Sequence, residues 1–447
     1  MHRHGKNSTV RKHIIAALAL TLTLASVGTL RAATPTNGVS DPSLSLDQAI
    51  AIALRLNPGY TSAVVGVAAA RAQLGQAEAP LLPGVALSDS YQSVSTVAKL
   101  STPIGALPFS AVNATNSPIL AMQYTLFDGG IRNAHVGQAA AGLSAAESQL
   151  VQARGATIAA VSSAYVGVLI AQRMSEVADR AVDVARRHES EAKLFLANGT
   201  IPRADLLRAQ AELANERVRM IAADGGVKLA ENQLNMVLGV PLTNHYRLTE
   251  PLSTAPPSFV LSNLLETALS QRGDLAAARA AVRAARKGID AAKGSRAPHI
   301  NAMISDGNIQ PAVVGGFHNQ FAIGLTAVWT LFDNGYSRNG IALAEAGLHQ
   351  AQLGVTQLES GIQLQIRQAY LREQIAAEQV IAAQKLVTVS DETRRLSALR
   401  YRGGVGTELE LEDADLGDRA ARETLARAQG DLRVAIVELR FASGLLQ

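Results

Sequence analysis

From Ile131 to Ala197 the chain contains no proline, and from Ser337 to Tyr401 it does so again. Both stretches are rich in Ala, Gln and Arg, which favour helix. At 1.5 Å per residue the first is a rod of roughly 100 Å if helical throughout. A helix that long cannot bury an apolar face against itself. It needs partners along its whole run, as in a coiled coil or a helical barrel. Glycines at 137, 142, 155 and 167 weaken the rod by about 1 kcal/mol each. Asn198-Gly199 closes it, and Pro202 is placed to open a second helix that reaches about Leu238. After Tyr401 the turn "RGGVG" does the same before a helix from Glu408 to about Ala442.

Each rod is announced by the same words. "TLFDGG" begins at Thr125 and "TLFDNG" at Thr330, 205 residues later. In both, an Asp (Asp128, Asp333) follows an apolar run and precedes glycine (Gly129 and Gly130; Gly335). The carboxylate can cap the coming helix while glycine takes the tight turn. The duplication extends further. Gly199 matches Gly404 at the same offset, and Pro83 matches Pro298 at an offset of 215. The ten-residue difference calls for an insertion in one loop between Pro83 and Thr125. The chain therefore reads as two repeats, 34–250 and 251–447, joined by a proline-rich linker from Gly239 to Phe259. In the first repeat, short helices over about Ser45–Leu56 and Gly59–Glu78 come before the strands. The hairpin tips fall near 198–202 and 402–407.

Strands are expected over about 83–98, 117–127, 299–310 and 319–332. These windows differ chemically from the rest. Between Pro83 and Phe127 the only charges are Asp89 and Lys99, and between His299 and Phe332 the only one is Asp306. Leu120, Met122, Tyr124 and Leu126 share one face of a strand; Leu325, Ala327, Trp329 and Leu331 share the matching face in the second repeat. Alternation without charge is the pattern of an outer-membrane β-strand, with Tyr124 and Trp329 placed for an aromatic girdle at a membrane interface. Four strands cannot close a barrel, and an open edge in lipid leaves backbone groups unpaired. Two copies would give eight strands, a barrel filled by side chains; three give twelve, wide enough for a passage.

The net charge of +4 is carried by the first 33 residues, which hold Arg3, Lys6, Arg11, Lys12 and Arg31 and no acid. Without them the chain is slightly acidic, which excludes bulk attraction to nucleic acid. Those residues read as a signal peptide, a basic start followed by the apolar run Ile14–Gly28 and small residues near Ala32–Ala33. No later run reaches the ~18 apolar residues of a membrane helix. Cysteine is absent, which removes disulfides, thiolate metal sites and lipid attachment through Cys. The histidines have no metal-ligand spacing, and no P-loop, G-x-S-x-G or H-E-x-x-H motif is present. No cofactor, metal or enzymatic activity is expected.

Taken together, "LSLDQAIAIALRLNP" (Leu44–Pro58), the paired "LFDGG" and "LFDNG" turns, and "YRGGVGTELELEDAD" (Tyr401–Asp415) resemble the TolC-like outer-membrane factor family over about Leu44 to Gly444. The resemblance implies a mainly α protein with β: an all-α helical-barrel tunnel plus a transmembrane β-barrel, four strands per chain and twelve in a homotrimer. It implies an exit duct for an efflux pump or a type I secretion system, in the outer membrane and extending into the periplasm, engaged by a periplasmic adaptor and an inner-membrane transporter. Residue by residue, Glu410 and Asp413 match the acidic rings that narrow the tunnel; their spacing puts both on one helix face. Tyr401 and Asp205 match a tyrosine and its acidic partner in the clasp that closes the tip. The clasp arginine is Gly406 here, with Arg203 and Arg402 as candidate substitutes. Gly199 and Gly404 match the tip glycines where adaptors dock. The competing expectation is an exported soluble helical scaffold. The cargo is not written in the sequence.

Overall fold

The computed structural model describes residues 42–103, 105–309 and 318–446; the expected signal peptide, Phe317 and the rest of 310–317 lie outside the described residues. The element order runs through one series twice. Strand β1 (Ser43–Leu44) leads to α1 (Leu46–Leu56), α2 (Pro58–Glu78), the hairpin β2 (Gly84–Thr102) and β3 (Gly105–Phe127), then α3 (Ile131–Ala197) and α4 (Arg203–Leu238). The short β4 (Arg247–Leu248) lies in the linker. Then come α5 (Leu261–Gln271), α6 (Gly273–Gly294), the hairpin β5 (His299–Ile309) and β6 (His318–Val328), α7 (Tyr336–Arg402) and α8 (Glu408–Ala442).

Local chemistry sets the helix ends. Ser45 caps α1 through a capping box with Gln48, and Asn57 ends α1 while its side chain accepts from the Tyr60 amide to start α2. Pro58 takes the first position of α2, one residue earlier than expected. Pro202 is the cap of α4 rather than its first residue. The two rods are 67 residues each and unbroken, glycines included. Packing explains this. On α7 the buried residues are Ile362, Ile366, Ala369, Glu373, Ala376, Val380 and Ala383, alternating by four and three. On α8, Leu411, Ala414, Asp418 and Ala421 begin the same alternation. That is the period of a left-handed coiled coil, and the two helices form one. Two positions of this seam hold carboxylates, Glu373 and Asp418.

The four long strands form one antiparallel sheet in the order β2-β3-β5-β6. Opposed residues share a face, so the register sorts the side chains. Val85 and Leu87 face Met122 and Leu120; Met122 and Tyr124 face Ile304 and Ala302; these face Ile323 and Leu325. The result is an apolar face across all four strands. The other face carries Ala86, Ala121, Ser305 and Ala322 in one row and Thr125, Asn301 and Thr326 in another. In the single chain the apolar face is open to solvent: Leu87 is 76% exposed and Leu325 71%.

Two strand expectations need correction. The ten extra residues of the first repeat do not form a loop; β2 and β3 stay paired up to Thr102 and Gly105. In the second repeat the strand ends at Val328, not 332. Phe127 of β3 still has a partner, Ile300 of β5. Val328, however, pairs with His299, the first residue of β5, immediately after Pro298. Residues 329–332 therefore have no ladder to join. Trp329 lies past the strand, its indole N–H donating to the Arg296 carbonyl at 3.1 Å.

Each repeat has its own helical core. Tyr165 sits in the first, fully buried; its hydroxyl donates to the Leu44 carbonyl at 2.8 Å and accepts from the Thr249 amide at 3.2 Å. It ties β1 and β4, which pair in parallel. The second core gathers Leu264, Leu275, Ile362, Ile366 and Leu439.

Candidate functional site at the strand turns and hairpin tips

The strand-to-helix turns are built alike. The Asp128 carboxylate accepts from the amides of Gly130 and Arg132, each at 3.0 Å, and from the Arg132 guanidinium at 2.9 Å. Asp333 accepts from the amides of Gly335 at 3.0 Å and Ser337 at 2.8 Å, and from the Ser337 hydroxyl. Burial pushes the Asp128 carboxyl up, but the Arg132 amide and guanidinium and the Gly130 amide outweigh it and leave it below the ordinary value. Gly129 and Gly130 have φ of 65° and 88°; Asn334 and Gly335 have 53° and 84°. Arg132 also lies over the Tyr124 ring at 5.7 Å, so the strand's last aromatic is held from the helix side.

At the far end of the rods, Gly199 and Gly404 both adopt φ of 70°. Behind them the Thr200 amide reaches the Phe195 carbonyl and the Val405 amide the Arg400 carbonyl, closing both helices in the same way. Glu410 and Asp413 are exposed on the first turns of α8. The Glu410 amide is capped by Thr407 at 3.2 Å, and its carboxylate lies 3.4 Å from Arg400.

The clasp residues come together differently from the expected pairing. Tyr401 makes no hydrogen bond with Asp205 among the described residues. Its ring stands edge-on to Phe195 with centroids 6.2 Å apart, and Asp205 lies 3.7 Å from Arg208. Burial raises the Tyr401 phenol, and the carboxylates of Glu408, Glu191, Asp205 and Glu412 raise it further. Arg402 reaches Glu191 at 4.0 Å, whereas Arg203 is exposed with no ion pair among the described residues. Gly406 has a reason to be glycine. A Cβ there would sit 2.9 Å from the Cβ of Arg400, so this turn leaves no room for an arginine.

Sequence reasoning missed the main polar feature of the hairpins. A cavity of about 400 Å³ lies between α3 and α4 on one side and α7 and α8 on the other. Glu216 of α4, 3% exposed, pairs with Arg419 of α8 across it, and His188 of α3 lies 3.5 Å from Asp415 of α8. Asp418 is held by Arg422 at 2.8 Å. The available signal was register: Asp415, Asp418, Arg419 and Arg422 fall on one face of α8, with Asp418 in the heptad seam. Among the described residues no group of His, Cys, Asp or Glu is arranged to hold a metal ion.

Residues 49–240 and 264–445 match the family model for outer membrane efflux protein. The chain belongs to this family. It is similar to Protein CyaE of Bordetella pertussis, with 28% identity over 419 residues, 90% of this chain and 84% of that one. The outer membrane protein VceC from Vibrio cholerae has the same fold, with a TM-score of 0.75 at 21% identity, covering 89% of this chain and 96% of that one. So does the MtrE outer membrane channel of Neisseria gonorrhoeae in its open state, with a TM-score of 0.73 at 22% identity, covering 89% and 88%. The family is one of transport proteins, and its membrane is the outer one.

Proposed function

We propose that this efflux protein works as a homotrimeric exit duct, a passive conduit through the outer membrane that continues as a helical tunnel into the periplasm. The observation that carries the reading is an unmade set of contacts. Inside the chain, β3 of the first repeat pairs with β5 of the second, and α3 packs on α6. The equivalent partners of β6 and α7 would be β2 and α2 of a following repeat. In the proposed duct a second copy of the chain supplies these partners. The faces involved are free: β2 and β6 are the edges of the sheet, and Ala72 of α2 and Ala342 and Leu343 of α7 are exposed. Four glycines on α7, at 340, 347, 354 and 361, are spaced by heptads, and a Cβ at any of them would meet nothing within 4 Å. Such a stripe admits a close helix neighbour. Three copies give twelve strands, the smallest closed number that leaves a passage. The apolar sheet face then meets lipid, with Tyr124 and Trp329 at its rim.

In this duct three copies of Glu410 and Asp413 form acidic rings that favour cations. The tips around Gly199 and Gly404 meet a periplasmic adaptor, which links the duct to an inner-membrane transporter. The efflux and secretion readings share this architecture.

Because the chain has no cysteine, the closing contact can be tested cleanly. Gly137 of α3 lies against Lys287 of α6, and the repeat offsets carry this pair onto Ala342 and Ala72. The double variant Ala72→Cys, Ala342→Cys is expected to give covalent trimers on oxidation, and neither single variant does so. A monomer that fails to crosslink refutes the reading. Bilayer recordings test the mouth: Glu410→Ala with Asp413→Ala is expected to lower cation selectivity and weaken block by multivalent cations.

A further inference from the structure

The described residues hold six buried side-chain polar atoms with no hydrogen-bond partner, and four of them line one cavity: Glu216 Oε2, Arg394 Nε, Asp415 Oδ2 and Asp418 Oδ1. A fifth, Glu408 Oε2, lines the smaller cavity beside it toward the tip, with Tyr401, Glu212 and Glu412. These cavities follow the seam between the two hairpins. At its upper end the seam is tight, since a Cβ on Gly430 of α8 would lie 2.2 Å from Ile170 of α3. Below, it widens into the charged cavity and ends at the Phe195–Tyr401 ring contact. Packing thus pins the seam near Gly430, and toward the tip charge replaces apolar contact.

The charges are unevenly sorted. In the upper cavity acids and bases alternate. The acids are Asp183 of α3, Glu212 and Glu216 of α4, and Glu412, Asp415 and Asp418 of α8. The bases are Arg180, Arg187 and His188 of α3, Arg394 of α7, and Arg419 and Arg422 of α8. Nearer the tip, carboxylates face carboxylates: Asp205 and Glu212 on α4 oppose Glu408 and Glu412 on α8, with Glu191 on α3 and Asp413 on α8 close by. Arg208 is the cation felt by Glu408 and Glu412, and it also serves Asp205; Arg402 reaches Glu191, and His188 of α3 lines the same cavity as Glu408 and Glu412.

We propose that the seam between the two hairpins is a proton-operated joint, in which protons taken up by Glu408 and Glu412 draw the hairpins together and their release drives them apart, swinging about the Gly430–Ile170 contact. A protonated carboxyl loses its repulsion and gains a donor to share with the carboxylate opposite. Burial first, and the neighbouring carboxylates second, raise both groups above the ordinary value in the closed seam. The sign follows: the closed form binds protons more tightly than the separated form, so acid closes the joint and rising pH loosens it.

The joint rests on the duct reading only for its physiological use, and its test needs no current. Spin labels at Lys193→Cys on α3 and Arg395→Cys on α7, both exposed, report the separation of the hairpins in the full-length protein in detergent. From about pH 4.5 to about pH 8 the distance is expected to lengthen, with a midpoint above the ordinary carboxylate range. In the Glu408→Gln, Glu412→Gln variant it stays at the short value throughout. Arg208→Gln, which removes a cation and lifts both carboxyls further, moves the midpoint to higher pH. A distance that does not change with pH in the unaltered seam, or a Gln variant that tracks it, overturns the proposal. Loss of channel activity with the pH-dependent distance intact would instead count against the duct.

Discussion

Adjacent glycines at the first strand-to-helix turn allow backbone strain and packing to be separated. Gly129 and Gly130 both have positive φ, so alanine at either costs about 1–2 kcal/mol of left-handed strain. Their surroundings differ. A Cβ on Gly129 would lie 2.5 Å from the Gly294 carbonyl oxygen and 2.5 Å from the Ala297 Cβ; one on Gly130 would meet nothing within 4 Å. Backbone is on the other side of the Gly129 contact, and it cannot rotate away. Gly129→Ala therefore carries a further overpacking cost of about 1–3 kcal/mol, while both variants recover about 0.4–1 kcal/mol from a less flexible unfolded chain. For a chain of this length each kcal/mol is worth about 1 °C in melting temperature. Thermal melts of the detergent-purified proteins, followed by far-ultraviolet circular dichroism, should place Gly130→Ala about 1 °C below the parent and Gly129→Ala about 2–4 °C below it. Asn334→Gly, at the matching turn where a Cβ is already tolerated at φ of 53°, should not melt lower. Equal melting of the Gly129 and Gly130 variants would refute the reasoning.

Removing the cap with Asp128→Ala should cost about 1–3 kcal/mol at neutral pH. Because its folded value is depressed, that stability is present above the ordinary carboxylate range and lost as pH falls, so the variant should be less sensitive to acid than the parent in melts taken across pH. Glu373 has the opposite sign. Burial in the α7 seam raises it, so its favourable contribution belongs to the protonated form and is lost as pH rises. Glu373→Gln should melt higher than the parent at neutral pH and converge with it in acid. Tyr165→Phe removes the hydroxyl shared by the Leu44 carbonyl and the Thr249 amide, leaving them the 3.3 Å bond to each other, and should cost about 0.5–1.5 kcal/mol in the same assay.

The long helices and their ends were legible because their determinants are local. Freedom from proline from Ile131 to Ala197, a glycine with φ of 70° after each rod and a proline cap at 202 are all properties of neighbouring residues. What the sequence hid depends on partners far along the chain. Residues 329–332 continue an alternating pattern, yet they stop being strand because β5 begins after a proline and offers them no ladder. The extra residues of the first hairpin resemble a loop until their pairing is seen. The acids of α8 read as an ordinary charged helix start, which favours carboxylates in any case. Only the approach of α3 and α4 converts Asp415 from a surface residue into the wall of a cavity. The departure at Gly406 was visible, but its cause was not: the clash an arginine would make arises from a turn that folds back on Arg400.

The two helical cores have a consequence for how the chain is made. The residues of the first core and those packed on it run from Leu44 to Leu252, and those of the second from Phe259 to Ala442; no residue is shared between them. A chain delivered N-terminus first can therefore finish collapsing its first half, with β1 already paired to β4, before the second half has emerged. Contacts of shorter sequence span form faster, so half-built chains spend less time with apolar surface exposed. The elements obliged to wait are β2 and β3, which need β5 to complete their sheet. They are also the longest strands, with an open apolar face. A chaperone that holds unfinished chains would meet this hairpin first, and truncations ending within the linker should yield a soluble helical half with its strands unguarded.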